Sequence, residues 1–148
     1  EVRSTGTDDE KAKDIINAVS QNRKLYKGSG NPVLCTTEDM LTDMLLLTDE
    51  IGRDLYADEA ALARKLRARK IVTVPVMENA NGKGGNPLVG ILVNMNDYNV
   101  GADSGGAVNM FDDFDIDYNQ QKYLIENRCS GALTLPYSAI AFEMKYTG

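Results

Sequence analysis

The stretch FDDFDIDYNQQKYLIE, residues 111–126, decides the fold, because it can be read as a calcium loop between helices or as two strands of a hairpin. Four of its aspartates, Asp112, Asp113, Asp115 and Asp117, fall within six positions. Hard cations take carboxylate oxygens, and from Asp115 the spacing places Asp117, Asn119 and Glu126 at positions three, five and twelve of an EF-hand loop. Position six is Gln120, where that loop needs glycine for its sharp turn. The flanking residues read as strand, not helix. Asp113, Asp115 and Asp117 alternate with Phe114, Ile116 and Tyr118, the period of a strand with one wet and one apolar face. The alternation breaks at Phe111–Asp112, where a β-bulge is expected. A two-residue turn at Asn119–Gln120 then pairs Asp117 with Lys122 and joins Tyr123 and Ile125 to the apolar side. Arg128 falls farther along the polar side, where it offsets the acidic row. On this reading Ile116 faces a core and the aspartates face water.

Upstream, the period is helical. Thr7 and Glu10 form a capping box, with Asp8 and Asp9 in the first turn. Ala12, Ile15, Ile16 and Val19 continue as an apolar stripe to Leu25 and Tyr26, and Gly28 and Gly30 end it. After the extended NPVLCT (31–36), Thr37 caps a second helix carrying Met40, Leu41, Met44, Leu45 and Leu47. The methionines read as core filler. A third helix, 58–69, turns Leu62 and Leu66 inward. Beyond Lys70 the period drops to two: IVTVPVM (71–77) and LVGILVNM (88–95) read as strands, with Pro75 at an edge or a strand end. ENANGKGGNP (78–87) reads as a mobile, projecting connection, and NVGADSGGA (99–107) as a second loop. Helices first and strands after make an α+β domain.

The 148 residues suit one domain with room for one core, and the net charge of −6 sets the surface against phosphate backbones, so no specific nucleic-acid binding is expected. The basic run RKLRARK (64–70) complements a helix C-terminus. No apolar run is long enough for a membrane span. The first residue is not methionine, which points to a processed, trimmed or partial chain. Cys35 and Cys129 are the only cysteines, and there is no histidine. That set makes neither a zinc site nor a disulfide framework, and a reducing compartment with two free thiols is expected. GKGG (82–85) lacks the frame of a phosphate loop, and no Gly-x-Ser-x-Gly occurs. Without a positioned acid, base or nucleophile, the reading is of a protein that is not an enzyme and takes no cofactor.

Residues 88–140, with FDDFDIDYNQQKYLIE, R-C-SGALT and P-Y-SAI as their strongest strings, resemble the carboxy-terminal part of tailed-bacteriophage major capsid proteins of the Hong Kong 97-type fold. GNPVLCTTEDMLTDMLLLTDEIGR and KIVTVPVM resemble the helix-rich region before it. The resemblance covers most of the chain and carries no chemistry. It implies a structural virion protein, made in the bacterial cytoplasm, that forms pentamers and hexamers with its own copies and meets other capsid or portal proteins. It also implies an axial-domain-like region over 1–108 and a hairpin returning into a peripheral-domain-like region over 109–148. Glu78, Asn79, Asn81 and Lys83, on the connection expected near a capsomer axis, become candidate assembly contacts. The amino-terminal arm, extended loop and spine helix of that family match nothing here. Encapsulin-type shells share the fold. A small acidic binding protein using calcium at Asp113, Asp115 and Asp117 is the reading of a different class.

Overall fold

A computed structural model of the protein describes residues 2–4, 7–102 and 108–146, and these form a mixed α+β chain. Two compact units divide it, Glu1–Asp97 with Leu135–Gly148, and Tyr98–Thr134. Residues 135–148, expected with the hairpin, thus belong with the first unit.

The first unit is a five-stranded mixed sheet with three helices. Its strands are β1 (Val2–Ser4), β2 (Val33–Thr36), β3 (Ile71–Thr73), β4 (Leu88–Val93) and β9 (Ala139–Tyr146), in the order β1-β9-β4-β2-β3. β1 runs parallel to β9 and β2 parallel to β3, while β4 is antiparallel to both neighbours. The register aligns Ile71 with Leu34, Leu34 with Leu92, and Leu92 with Ile140. Because strand side chains alternate, these residues and Phe142 and Met144 share one face. That face forms a single core with the apolar stripes of α1 (Asp8–Asn22), α2 (Glu38–Leu45) and α3 (Glu59–Leu66). Buried Thr36 fits among them because its hydroxyl donates to the Val89 carbonyl at 2.8 Å.

The helices begin where local chemistry places them. Thr7 and Glu10 exchange their capping-box bonds at 3.4 Å each, the Thr37 hydroxyl accepts from the Met40 amide, and the Asp58 carboxylate accepts from the Ala61 amide at 2.6 Å. Their ends come sooner than the stripes suggest. After Asn22, whose side chain donates to the Ala18 carbonyl at 2.8 Å, residues Arg23–Leu25 tighten into a 3₁₀ turn. α3 stops at Leu66 with Arg67 in the left-handed conformation, φ 54°, and Arg64 and Lys65 in its last turn as the dipole favours.

The strand expected over 71–77 is three residues long. Val74 donates to the Thr36 carbonyl, and then Pro75, with its fixed φ and no amide hydrogen, opens a 3₁₀ helix, Pro75–Asn79, that buries Met77. β3 is an edge strand, and Pro75 lies just beyond its end. Among the described residues no helix is long and apolar enough to cross a membrane.

Asp43 on α2 lines an open cleft with Asp8, Lys11, Asp39 and Glu78. Burial and then the charges of Asp8 and Asp39 push its carboxyl above the usual range, with Lys11 opposing. A raised folded-state value means the native chain holds this proton more tightly, so stability falls as pH climbs through the window above the ordinary value of about 4. Asp43→Asn is therefore expected to raise the melting temperature at pH 7 by up to a few degrees. The gain should vanish below about pH 4, where Asp43 is neutral in both states. Melting curves at the two pH values check this, and an equal shift at both would assign it to something other than charge.

Candidate functional site

The second unit consists of two separate strand pairs. β5 (Tyr98–Ala102) pairs antiparallel with β8 (Cys129–Leu133), and β6 (Asn109–Asp115) with β7 (Gln120–Glu126). Residues 99–102, expected in a loop, belong to the strand Tyr98–Ala102. The rest of that expected loop, 103–107, lies outside the described residues. Gly131 lets the Tyr98 ring lie over it: a Cβ there would stand 2.6 Å from Cζ of Tyr98 and push the ring aside.

The aspartate stretch is a hairpin, but its register differs from the expected one. Asp113 lies opposite Lys122 and Asp115 opposite Gln120, leaving Ile116–Asn119 as a four-residue turn. Asn119 ends that turn at φ 49°, a left-handed position that asparagine tolerates. The Asp117 amide donates to the Asp115 carboxylate at 3.1 Å, and the Lys122 ammonium pairs with the same carboxylate. The ladder runs unbroken from Asn109 to Asp115, so no bulge forms at Phe111–Asp112. The faces follow from this register. Phe111, Asp113 and Asp115 share one with Leu124 and Lys122; Met110, Asp112 and Phe114 share the other with Ile125 and Tyr123. Each face thus mixes apolar and acidic groups, and the expected separation into a dry and a wet side does not hold.

Nor does the expected burial. Ile116 is 82% exposed at the turn, and Phe111, Phe114, Tyr118, Tyr123, Leu124 and Ile125 are all exposed. Arg128 does not offset the acidic row: its guanidinium sits 2.7 Å from the Glu126 carboxylate. Among the described residues, no three His, Cys, Asp or Glu side chains gather where they could hold a metal ion. In the proposed calcium loop, Asp115 is occupied by Lys122 and the Asp117 amide.

The other candidates lie on the first unit. Glu78 and Asn79 end the 3₁₀ helix, Asn81 bridges to Pro87, and Lys83 sits at the loop tip; all four are exposed. The structure thus brings them onto one surface loop. Expected as a mobile connection, this loop is closed by its own bonds, Gly82 to Asn86, Gly85 to Gly82 and Leu88 to Ala80. It is also tied to β9, where the Glu143 carboxylate accepts from the Gly84 amide at 3.0 Å. Both cysteines are free. Burial pushes the Cys35 thiol up against the opposing charge of Lys70, the reverse of an activated nucleophile.

One polar cluster had no signature in the sequence. Asp97, the last residue before the second unit, is buried and accepts from the Ser29 amide at 2.8 Å and from the Ser29 hydroxyl. Asn94 donates to the Ser29 carbonyl at 2.5 Å, and Tyr26 donates to the same carbonyl at 3.3 Å. Burial and then the Asp97 charge push the Tyr26 phenol up, with Arg23 opposing. Gly28 is obligatory here, since a Cβ would stand 2.6 Å from the Asp97 carboxylate. The cluster joins residues 68 apart, beyond any local pattern. Its groups bond to one another and so fix the local backbone. No family model matches the chain, and no curated protein matches it.

Proposed function

We propose that the protein is a structural assembly subunit, the carboxy-terminal portion of a Hong Kong 97-type major capsid protein that forms the shell of a tailed bacteriophage or prophage. The observation that carries this reading is the state of the second unit. From Tyr98 to Thr134 no described side chain is buried, although the segment bears Val100, Met110, Phe111, Phe114, Leu124 and Ile125. A two-stranded hairpin is marginal alone in water, and this many exposed large apolar side chains point to a partner that covers them. The first unit, with a core of its own, needs no such help. Its role in this reading is the axial domain, and the hairpin is part of the peripheral domain. The loop of Glu78, Asn79, Asn81 and Lys83 then faces copies of itself around a pentamer or hexamer axis. The partners are other copies of the chain and other capsid or portal proteins, in the virion. The string similarities of residues 88–140 support the assignment to phage shells over other assemblies.

The test is expression of the chain with whatever coding sequence flanks it in its gene, with electron microscopy of the product. Closed particles are expected. Replacing residues 109–126 by a short Gly-Ser linker should abolish them while leaving the thermal transition of the first unit in place. Particles that form without the hairpin, or a product that stays monomeric with the hairpin intact, would overturn the reading.

A further inference from the structure

The first unit carries a small pocket that matches the hairpin turn in size, polarity and charge. Between α1, α3 and the segment that precedes α3 lies a cavity of about 210 Å³, with Ile16, Leu47, Leu55 and Tyr56 in its lining. Ile16 and Leu47 are buried, so its base is apolar. Lys13 and Lys65 line it as well, and both are exposed. Neither makes an ion pair among the described residues. Lys65 belongs to the run Arg64–Lys70, which places five cations in seven residues of a chain whose net charge is −6. Small-molecule sites are typically about 300–1,000 Å³, so this cavity suits a single side chain better than a free ligand.

The hairpin turn is the complement. Ile116 is 82% exposed and Tyr118 74%, and between them stands Asp117, also exposed. Its backbone is held by the bond from its own amide to Asp115, so the tip is ordered before it meets anything. Lys122 occupies the Asp115 carboxylate but leaves that of Asp117 open to a partner cation.

We infer that the β6–β7 turn of one copy docks in this pocket on a second copy, with Ile116 entering the cavity and Asp117 meeting Lys13 and Lys65. The inference rests on the assembly reading above and names one contact within it. Both halves of the contact are carried by the same chain, which is why the occupant is a second copy and not an unrelated protein. The two surfaces differ, so the contact is heterologous, the kind that propagates head to tail into rings where the rotation closes. One inserted side chain and one exposed ion-pair set make a weak contact, with a Kd of order 1 mM. Repetition around a ring supplies the avidity that a single contact lacks.

Amide chemical shifts of the ¹⁵N-labelled chain, followed at low salt from dilute solution to about 1 mM, test the contact. The amides of residues 115–119 and those of Lys13, Tyr56 and Lys65 should move together with concentration, and the movement should shrink as salt is added. Asp117→Lys alone and Lys13→Glu with Lys65→Glu should each abolish it. Mixing these two variant chains should restore it at the turn of the pocket variant's partner and at the pocket of the turn variant's partner, because the opposite charges meet again. Shifts that are absent or independent of concentration would overturn the contact. So would shifts at the turn without shifts at the pocket, or losses that the mixture does not repair. Failure of this contact is separable from failure of the assembly reading. Particles formed by the flanked gene product carrying Lys13→Glu and Lys65→Glu would leave shell formation standing and remove this contact from it.

Discussion

Leu92→Ala is expected to destabilise the protein by about 2–5 kcal/mol, whereas Ile116→Asp should stay within about ±0.5 kcal/mol. Leu92 is fully buried, flanked by Leu34 on one side and Ile140 on the other, at the centre of the face that meets the helices. Truncation there removes apolar contacts and leaves a cavity that a sheet pinned by neighbours on both sides collapses poorly to fill. Ile116 sits in a turn with most of its surface in water, so a carboxylate at that position is solvated and strains nothing. Urea unfolding of the two variants gives the comparison directly. The same Ile116→Asp chain, stable by itself, should no longer show concentration-dependent association. Comparable losses of stability in both variants would mean that the hairpin packs on a core within its own chain. That result would remove the ground for reading it as an assembly surface.

The contrast between these residues marks what the sequence makes legible. Helix caps are local: the capping box of Thr7 with Glu10, and the Thr37 hydroxyl that accepts from the Met40 amide, depend on neighbours three residues away, and the structure places both as the spacing implies. The helical stripes are equally direct, because Ile15, Met44 and Leu62 meet one core. The α+β class follows from these stripes together with the period-two runs after Lys70. Alternation in 113–118 implies a strand, which the structure forms over Asn109–Asp115, but not what lies against it. Phe114 and Ile116 look inward-facing because apolar residues usually have a layer to cover, and in this chain both stay exposed. The register was missed for a related reason. Asn119–Gln120 looks like a two-residue turn, yet the alternation can stop at Asp115, and a four-residue turn ending in left-handed Asn119 satisfies the same composition. Pro75 shows a third limit: valines on both sides suggest strand, while the proline itself favours the first turn of a helix, and the backbone follows the proline. The loop of Glu78, Asn79, Asn81 and Lys83 is polar as expected, but Glu143, which holds it, comes from the far end of the chain.

Asp97 is the extreme case of such distance, and its removal should be the second large effect. Asp97→Ala takes away the acceptor for both the Ser29 amide and the Ser29 hydroxyl. Hydrogen bonds to a charged group contribute roughly 1.5–3 kcal/mol each, so losing two is expected to cost about 3–5 kcal/mol. Asp97→Asn keeps one acceptor oxygen in nearly the same volume and should lose less than half as much. Ser29→Ala removes the hydroxyl but leaves the amide, so combining it with Asp97→Ala should give a coupling energy of about 1–3 kcal/mol in a double-mutant cycle. Denaturant titration of the four chains measures it. Equal losses for alanine and asparagine at 97 would show that the site rewards shape and not acceptance. The position gives this bond its consequence. Asp97 is the last residue of the first unit before the chain enters the second, and from Tyr98 to Thr134 no described side chain is buried. The Ser29–Asp97 bonds, braced by Asn94 and Tyr26, fix the first unit's backbone at the residue before Tyr98. Limited proteolysis gives the second readout. Asp97→Ala should speed cleavage near Asp97 under conditions where the core helices stay protected, whereas a purely global loss of stability would expose both together.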